Sequence, residues 1–210
     1  MITPDEARPY YSGADVVHDF DHVVRVLRLA LRIAAAEGAD REIVQAAALL
    51  HDVGREQAER SGADHAEFAA ARAHQILAKR CSEQTLAAIM HAIAAHRYRG
   101  ALQPTTLEAR VLFDADKLDA IGAVGVARAF AHGGAQGQRL WAPLNSVDVA
   151  RWLAQGDDPL PHTPVHEFIL KLQHLKERLY TATGRVIAEE RHAYMCAFFQ
   201  RFDAEVRGER

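Results

Sequence analysis

The sequence predicts an all-α chain, and three observations carry that expectation. Alanine, the strongest intrinsic helix former, fills 40 of 210 positions. Apolar residues recur at helical spacing between recognisable caps and stops. No run alternates with the period of two that a half-buried strand requires. At this length one hydrophobic core suffices without disulfide or metal staples, so 1–210 reads as a single domain. Its core spans 14–131, a loop 132–164, and two C-terminal helices 165–207.

The first helix is expected from Ala14 to Glu37, stopped by Gly38. Asp40 caps a second over Arg41–Val53, which Gly54 ends. Asp64 caps a third through Lys79, and Ser82 a fourth through His96. A polar loop from Arg97 to Pro104 follows. Thr105 with Glu108 reads as a capping box, opening a helix through Lys117 and on towards Ala131, with Gly122 and Gly125 as bend or close-packing points. Between His132 and Pro164 the periodicity fails, and four of the seven prolines fall there. A short helix at Val147–Ala154 is expected inside this stretch, which is either a lid or a connector. Helices over Val165–Tyr180 and Gly184–Val206 close the chain, packed through Phe168, Leu172, Leu175 and Leu179, then Ile187, Met195, Phe198, Phe202 and Val206.

Charge and composition exclude several classes. Lys+Arg is 25 against Asp+Glu 28, a formal net charge of −3, so no general or specific nucleic-acid binding is expected. Two cysteines, Cys81 and Cys196, do not make a secreted disulfide scaffold. No apolar run reaches the ~20 residues of a membrane span, and Met1–Tyr11 lacks a signal-peptide core. A soluble cytoplasmic protein is the expectation. No P-loop, dinucleotide fingerprint or serine elbow is present.

Twelve histidines are the unusual feature. His22 lies in line with Val26, Leu29 and Ile33, and so faces inward. His51 follows Val44 and Ala47 on another inward row, with Asp52 beside it. Asp116 aligns with Ala109, Leu112 and Ala120, and Asp119 sits one turn on. One inward histidine or aspartate alone is more often a hydrogen-bonded core residue or a cap. Ionisable groups buried on three helices are costly unless they share a partner, and one cation supplies it. Imidazole nitrogens with carboxylate oxygens suit manganese, iron, zinc or nickel better than calcium.

These residues resemble the HD-domain metal-dependent phosphohydrolases, which carry a histidine, a His-Asp doublet and a distant aspartate on a helical bundle. Here the pattern reads His22, then Leu49-Leu50-His51-Asp52-Val53-Gly54, then Asp114-Ala115-Asp116-Lys117-Leu118-Asp119-Ala120. The opening His18-Asp19-Phe20-Asp21-His22-Val23-Val24-Arg25-Val26 and the segment Ala188-Glu189-Glu190-Arg191-His192 are similar to a subgroup of predicted bacterial and archaeal HD hydrolases. The resemblance covers nearly the whole chain. It implies an HD-type helical bundle with metal ligands His22, His51, Asp52 and Asp116. Asp116 is preferred over Asp114 and Asp119 by the family's spacing, and His18 is the competing first-helix histidine. The implied cofactor is a divalent metal, manganese first, with magnesium, nickel, zinc or iron as alternatives.

Some HD relatives hold two metals through extra histidines. His96 and His65 are the candidates for that second metal or for substrate, whereas His74 and His91 suit surface or packing roles. The adjacent His-His pair of two-metal relatives is absent. The implied reaction is hydrolysis of a phosphoester or phosphoanhydride in a nucleotide or small phosphorylated metabolite, best a nucleoside triphosphate or its deoxy form, by metal-activated water. Asp52 would orient that water, and Asp119 would support a ligand or accept a proton. Charge on the phosphoryl oxygens needs cationic donors. Lys117 and Lys171 are chosen from only four lysines, with Arg55, Arg97 and Arg99 as further phosphate-binding candidates. Where some HD nucleotidases carry a glutamate four residues after the doublet histidine, this chain has Arg55. Two other readings remain: an HD-fold di-iron oxygenase, and a non-catalytic nucleotide- or metal-sensing module.

Overall fold

The computed structural model describes residues 1–11, 17–97, 100, 102–144 and 162–210. Among these the chain is all helical: α1 (Pro4–Ala7), α2 (Phe20–Glu37), α3 (Arg41–Leu50), α4 (Arg55–Ser61), α5 (His65–Leu77), α6 (Glu83–Ala94), α7 (Leu107–Asp119), α8 (Gly122–Ala135), α9 (Pro164–Leu170) and α10 (Ala182–Val206). Short 3-10 turns cover Arg8–Tyr10 and Leu172–Arg178. The chain clusters into two compact units, one of Met1–Asp119 with Leu179–Arg185, the other of Ala120–Arg178 with Val186–Arg210. Among the described residues no helix is long and apolar enough to cross a membrane.

In the first unit α2 packs on α3 and α7, α3 on α6, and α6 on α5 and α7. The alanine-rich composition is spent here. Ala30, Ala46, Ala47, Ala48, Ala69, Ala73, Ala92, Ala109 and Ala115 are fully buried. Such small side chains let neighbouring helices approach closely. The returning segment Leu179–Arg185 is tied to the buried Asp114, which accepts from Tyr180 N (2.9 Å), Thr181 N (2.7 Å) and Thr181 Oγ1 (2.6 Å). A Cβ on Gly184 would lie 2.5 Å from Asp114 Oδ2, so only glycine fits against that carboxylate.

Several boundaries differ from the sequence reading, each for a local reason. The first helix does not run through 17–19; Asp19 is its N-cap and accepts from His22 N at 2.9 Å. The second ends at Leu50 rather than Val53, and Gly54 opens the unexpected α4 instead of closing α3. Gly54 has φ +76°, a left-handed conformation that glycine adopts without steric cost. A Cβ there would sit 2.5 Å from the Phe68 ring. Only Ala58 is buried in α4, so no apolar stripe announced it. The cap of α7 is Thr106, whose Oγ1 accepts from Ala109 N at 3.2 Å. Thr105 instead donates its N–H to His91 Nε2 (3.2 Å), and Glu108 accepts from Asp40 N (3.1 Å). The helix from there to Ala131 is broken after Asp119, and the helix expected at Val147–Ala154 lies outside the described residues.

In the second unit, the helix expected over Val165–Tyr180 is α9 followed by a 3-10 turn, divided at Lys171 (φ −137°, ψ −59°). Phe168 stacks on Phe199 with ring centroids 4.3 Å apart, and the half-buried Phe130, Phe198 and Phe202 extend the aromatic cluster. Val206, expected to be packed, is 46% exposed. Lys171 Nζ holds Glu167 at 2.6 Å, and His162 lies 3.3 Å from the same carboxylate. Burial alone would raise the Glu167 pKa, but His162 and Lys171 outweigh it and lower it from 4.5 to about 2. A depressed folded pKa stabilises the fold above the unfolded value and loses that stabilisation as pH falls. Wild type should therefore lose urea resistance between pH 4.5 and about 2 more steeply than Glu167→Gln. Parallel curves for the two proteins across that window would contradict this.

Candidate metal centre

Two helices of the first unit end in the same way. His51 follows the last turn of α3 and its Nδ1 donates to Ala48 O at 2.8 Å. His96 follows α6 and its Nδ1 donates to Ile93 O at 2.6 Å. Terminal carbonyls of a helix lack intrahelical partners, and an imidazole three residues on satisfies one of them. In a neutral ring the same bond selects the tautomer and leaves Nε2 as the lone pair. His22, on the inward face of α2, is fixed from α7: its Nδ1 lies 2.7 Å from Asp119 Oδ2. All three rings are buried.

The Nε2 atoms converge. His22 Nε2 is 3.2 Å from His51 Nε2, 3.5 Å from Asp116 Oδ1 and 3.8 Å from Asp52 Oδ2. His51 Nε2 is 3.7 Å from that same Asp52 oxygen. The His51 pKa is lowered to about 4, chiefly by burial, so its ring is neutral at physiological pH. Burial would raise both aspartates. Interaction with His51, His96 and Arg55 nevertheless holds Asp52 well below the usual carboxylate range, and Lys117 with His51 and His22 does the same for Asp116. A bare nitrogen and two carboxylates around His22 Nε2 require positive charge. A proton on that nitrogen answers part of the requirement, whereas a divalent ion can engage ligand atoms of His22, His51 and Asp52, which all lie within 4.8 Å of one another, with Asp116 alongside. Two imidazoles and two carboxylates are a borderline-hard donor set that fits manganese, iron, nickel or zinc.

A second layer of partners holds these groups in place. Arg25 donates to both oxygens of Asp119, at 2.8 and 3.1 Å, so that carboxylate is saturated behind His22. Arg55 Nη1 donates to Asp52 Oδ1 at 3.1 Å and Oδ2 at 3.3 Å. Lys117 pairs with Asp116 and lies over the Phe113 ring. Tyr11 donates to Leu49 O at 2.8 Å, and burial together with the charge of Asp52 pushes its phenol well above the usual range.

Three aspartates of α7 thus face different partners: Asp114 the returning backbone, Asp119 the back of His22, and Asp116 the convergent nitrogens. His65 and His96 also meet, with ring centroids 5.3 Å apart, and His96 Nε2 is 3.7 Å from Asp52 Oδ1. Burial first, then the charge of Arg55, lowers the His65 pKa to about 4. His18 lies before α2 rather than on it, its ring 5.7 Å from His22. Arg97 pairs with Asp64 and is 43% exposed. Arg99 lies outside the described residues, and Lys171 belongs to the second unit. Sequence reasoning did not assign Arg25 or Tyr11 a role. Arg25 sits three residues after His22, the spacing that places both over one carboxylate.

With this geometry in view, the likenesses to known proteins fall into line. An HD-domain family model matches residues 19–121. The Bacillus subtilis protein YpgQ is 34% identical over 196 residues, covering 91% of this chain and 85% of YpgQ. The crystal structure of YpgQ in complex with ADP is similar with a TM-score of 0.73 at 28% identity, over 98% of this chain and 99% of that one. A predicted HD superfamily hydrolase from an uncultured Thermotogales bacterium gives 0.67 at 31% identity, over 96% and 90% of the two chains. An HD-superfamily hydrolase from Bacillus thuringiensis gives 0.72 at 29%, over 97% and 94%. The chain belongs to the HD-domain superfamily.

The arrangement behind His22 can be tested by itself. Asp119→Asn keeps an acceptor for Nδ1 but removes the charge that Arg25 and His22 share. Manganese affinity, read by titration calorimetry, should fall about 10- to 100-fold while circular dichroism stays unchanged. Unaltered affinity would show that Asp119 serves Arg25 alone.

Proposed function

We propose that this chain is a metal-dependent phosphohydrolase that cleaves a phosphoester or phosphoanhydride bond of a nucleotide. One observation carries the reading: the buried approach of His22 Nε2 and His51 Nε2 to 3.2 Å, flanked by Asp52 and Asp116. His22, His51, Asp52 and Asp116 would hold a divalent ion, with manganese first. Bound there, such an ion lowers the pKa of a water towards ~7 and polarises a phosphoryl oxygen.

The chain's own groups do the rest. Asp52 remains ionised, and Oδ1, turned from His22 towards His96, is an acceptor that orients the attacking water. Arg55 and Lys117 are cations on the two ligand carboxylates and can meet phosphoryl charge as it develops. Asp119 has both oxygens engaged by His22 and Arg25, so it acts through His22 by positioning it. A cleft lined by Tyr10, Tyr11, His18, Phe20, Asp52 and Arg55 opens beside these groups and offers a ligand a way in. The choice of a nucleotide is supported by the ADP complex of YpgQ. Two free thiols, Cys81 and Cys196, suit the cytoplasm as the compartment.

The test is phosphate release across a panel of nucleotides with manganese, magnesium, nickel and zinc, alongside elemental analysis of the purified protein. His51→Ala and Asp52→Ala should each lose metal content and at least about 100-fold in turnover while helical content is retained. Undiminished metal and turnover in both variants would refute the assignment.

A further inference from the structure

Asp52 faces two sets of histidines. Its Oδ2 points at His22 and His51, at 3.8 and 3.7 Å, while its Oδ1 points the other way, at His96 Nε2, 3.7 Å off. His65 stands behind His96. Asp52, His65 and His96 each offer one ligand atom within 4.8 Å of the other two, a second group able to hold a metal ion. His96 engages Nδ1 with Ile93 O, so the nitrogen it presents to this group is Nε2.

A guanidinium is already there. Arg55 Nη1 donates to Asp52 Oδ1 at 3.1 Å, the oxygen that a second ion would need. The arginine side chain is only 22% exposed and is anchored on its far side by Glu59, which accepts from Nε at 3.0 Å. Its charge reaches His65 as well. A divalent cation bound to Asp52, His65 and His96 would meet this positive charge in a site with little water to screen it, and the two repel.

We propose that Arg55 takes the place of a second cation: Asp52, His65 and His96 form a latent metal site that the Arg55 guanidinium closes, so the chain holds one ion rather than two. This rests on the reading of His22, His51, Asp52 and Asp116 as the first site. It makes Arg55 a determinant of metal stoichiometry, set by its position three residues after Asp52 and the turn at Gly54. On the His65 side, a phosphorylated ligand then meets a guanidinium, which can form two parallel hydrogen bonds to phosphate oxygens, instead of a second ion.

Metal stoichiometry reads this without any activity measurement. Wild type, Arg55→Gln and Arg55→Gln with His65→Ala are equilibrated with manganese, and bound ions per chain are counted by elemental analysis and calorimetry. The expected result is one ion in wild type, two in Arg55→Gln and one again in the double variant. Two ions in wild type, one in Arg55→Gln, or a second ion that survives removal of His65 would each overturn the inference. A wild type that binds none would overturn the proposed function, and this inference with it.

Discussion

Two imidazole nitrogens do not approach to 3.2 Å inside a protein unless a proton or a cation is shared between them, and the rest of the first unit is arranged around that constraint. His51 donates its Nδ1–H to a helix-end carbonyl and is neutral at physiological pH. His22 is clamped through Asp119, which Arg25 saturates in turn. Neither ring can turn away without breaking a buried hydrogen bond, a loss of roughly 1–3 kcal/mol per orphaned group. The close approach is therefore built in, and Asp52 and Asp116 alongside add negative charge that a shared cation would balance.

Bringing these groups together requires three helices to deliver short side chains to one point. The alanine content makes this possible. Ala30 on α2, Ala47 on α3 and Ala115 on α7 are fully buried on the helices that carry the convergent side chains. Burying several carboxylates and imidazoles is costly unless each has a partner. Asp119 finds two, Asp52 finds Arg55, and Asp116 finds Lys117. The partners that make this burial tolerable thus also hold the convergent groups in place.

The sequence made the inward residues legible and left their cross-links unseen. His22, His51 and Asp116 fall on apolar stripes, so helical periodicity alone turns them inward. The caps at Asp40, Asp64 and Ser82 were readable because side-chain capping is local, within three residues. What stayed hidden is contact between residues far apart in the chain. Asp119 meets Arg25 across 94 residues, and Asp114 meets Thr181 across 67. The α4 helix escaped notice because it buries only Ala58, whereas the break after Asp119 falls at Gly122, a bend point in the sequence, which takes φ +79°. The three aspartates of α7 could be told apart by family spacing, but their partners required coordinates.

The central claim is that one divalent ion sits where the Nε2 atoms of His22 and His51 face each other. The most direct measurement is a crystal of the manganese-soaked protein with anomalous diffraction collected at the manganese edge. The account predicts a single strong anomalous peak about 2.0–2.3 Å from both Nε2 atoms, with oxygens of Asp52 and Asp116 completing the protein ligands. A peak bound elsewhere, or His22 and His51 paired through a proton with no peak between them, would contradict it.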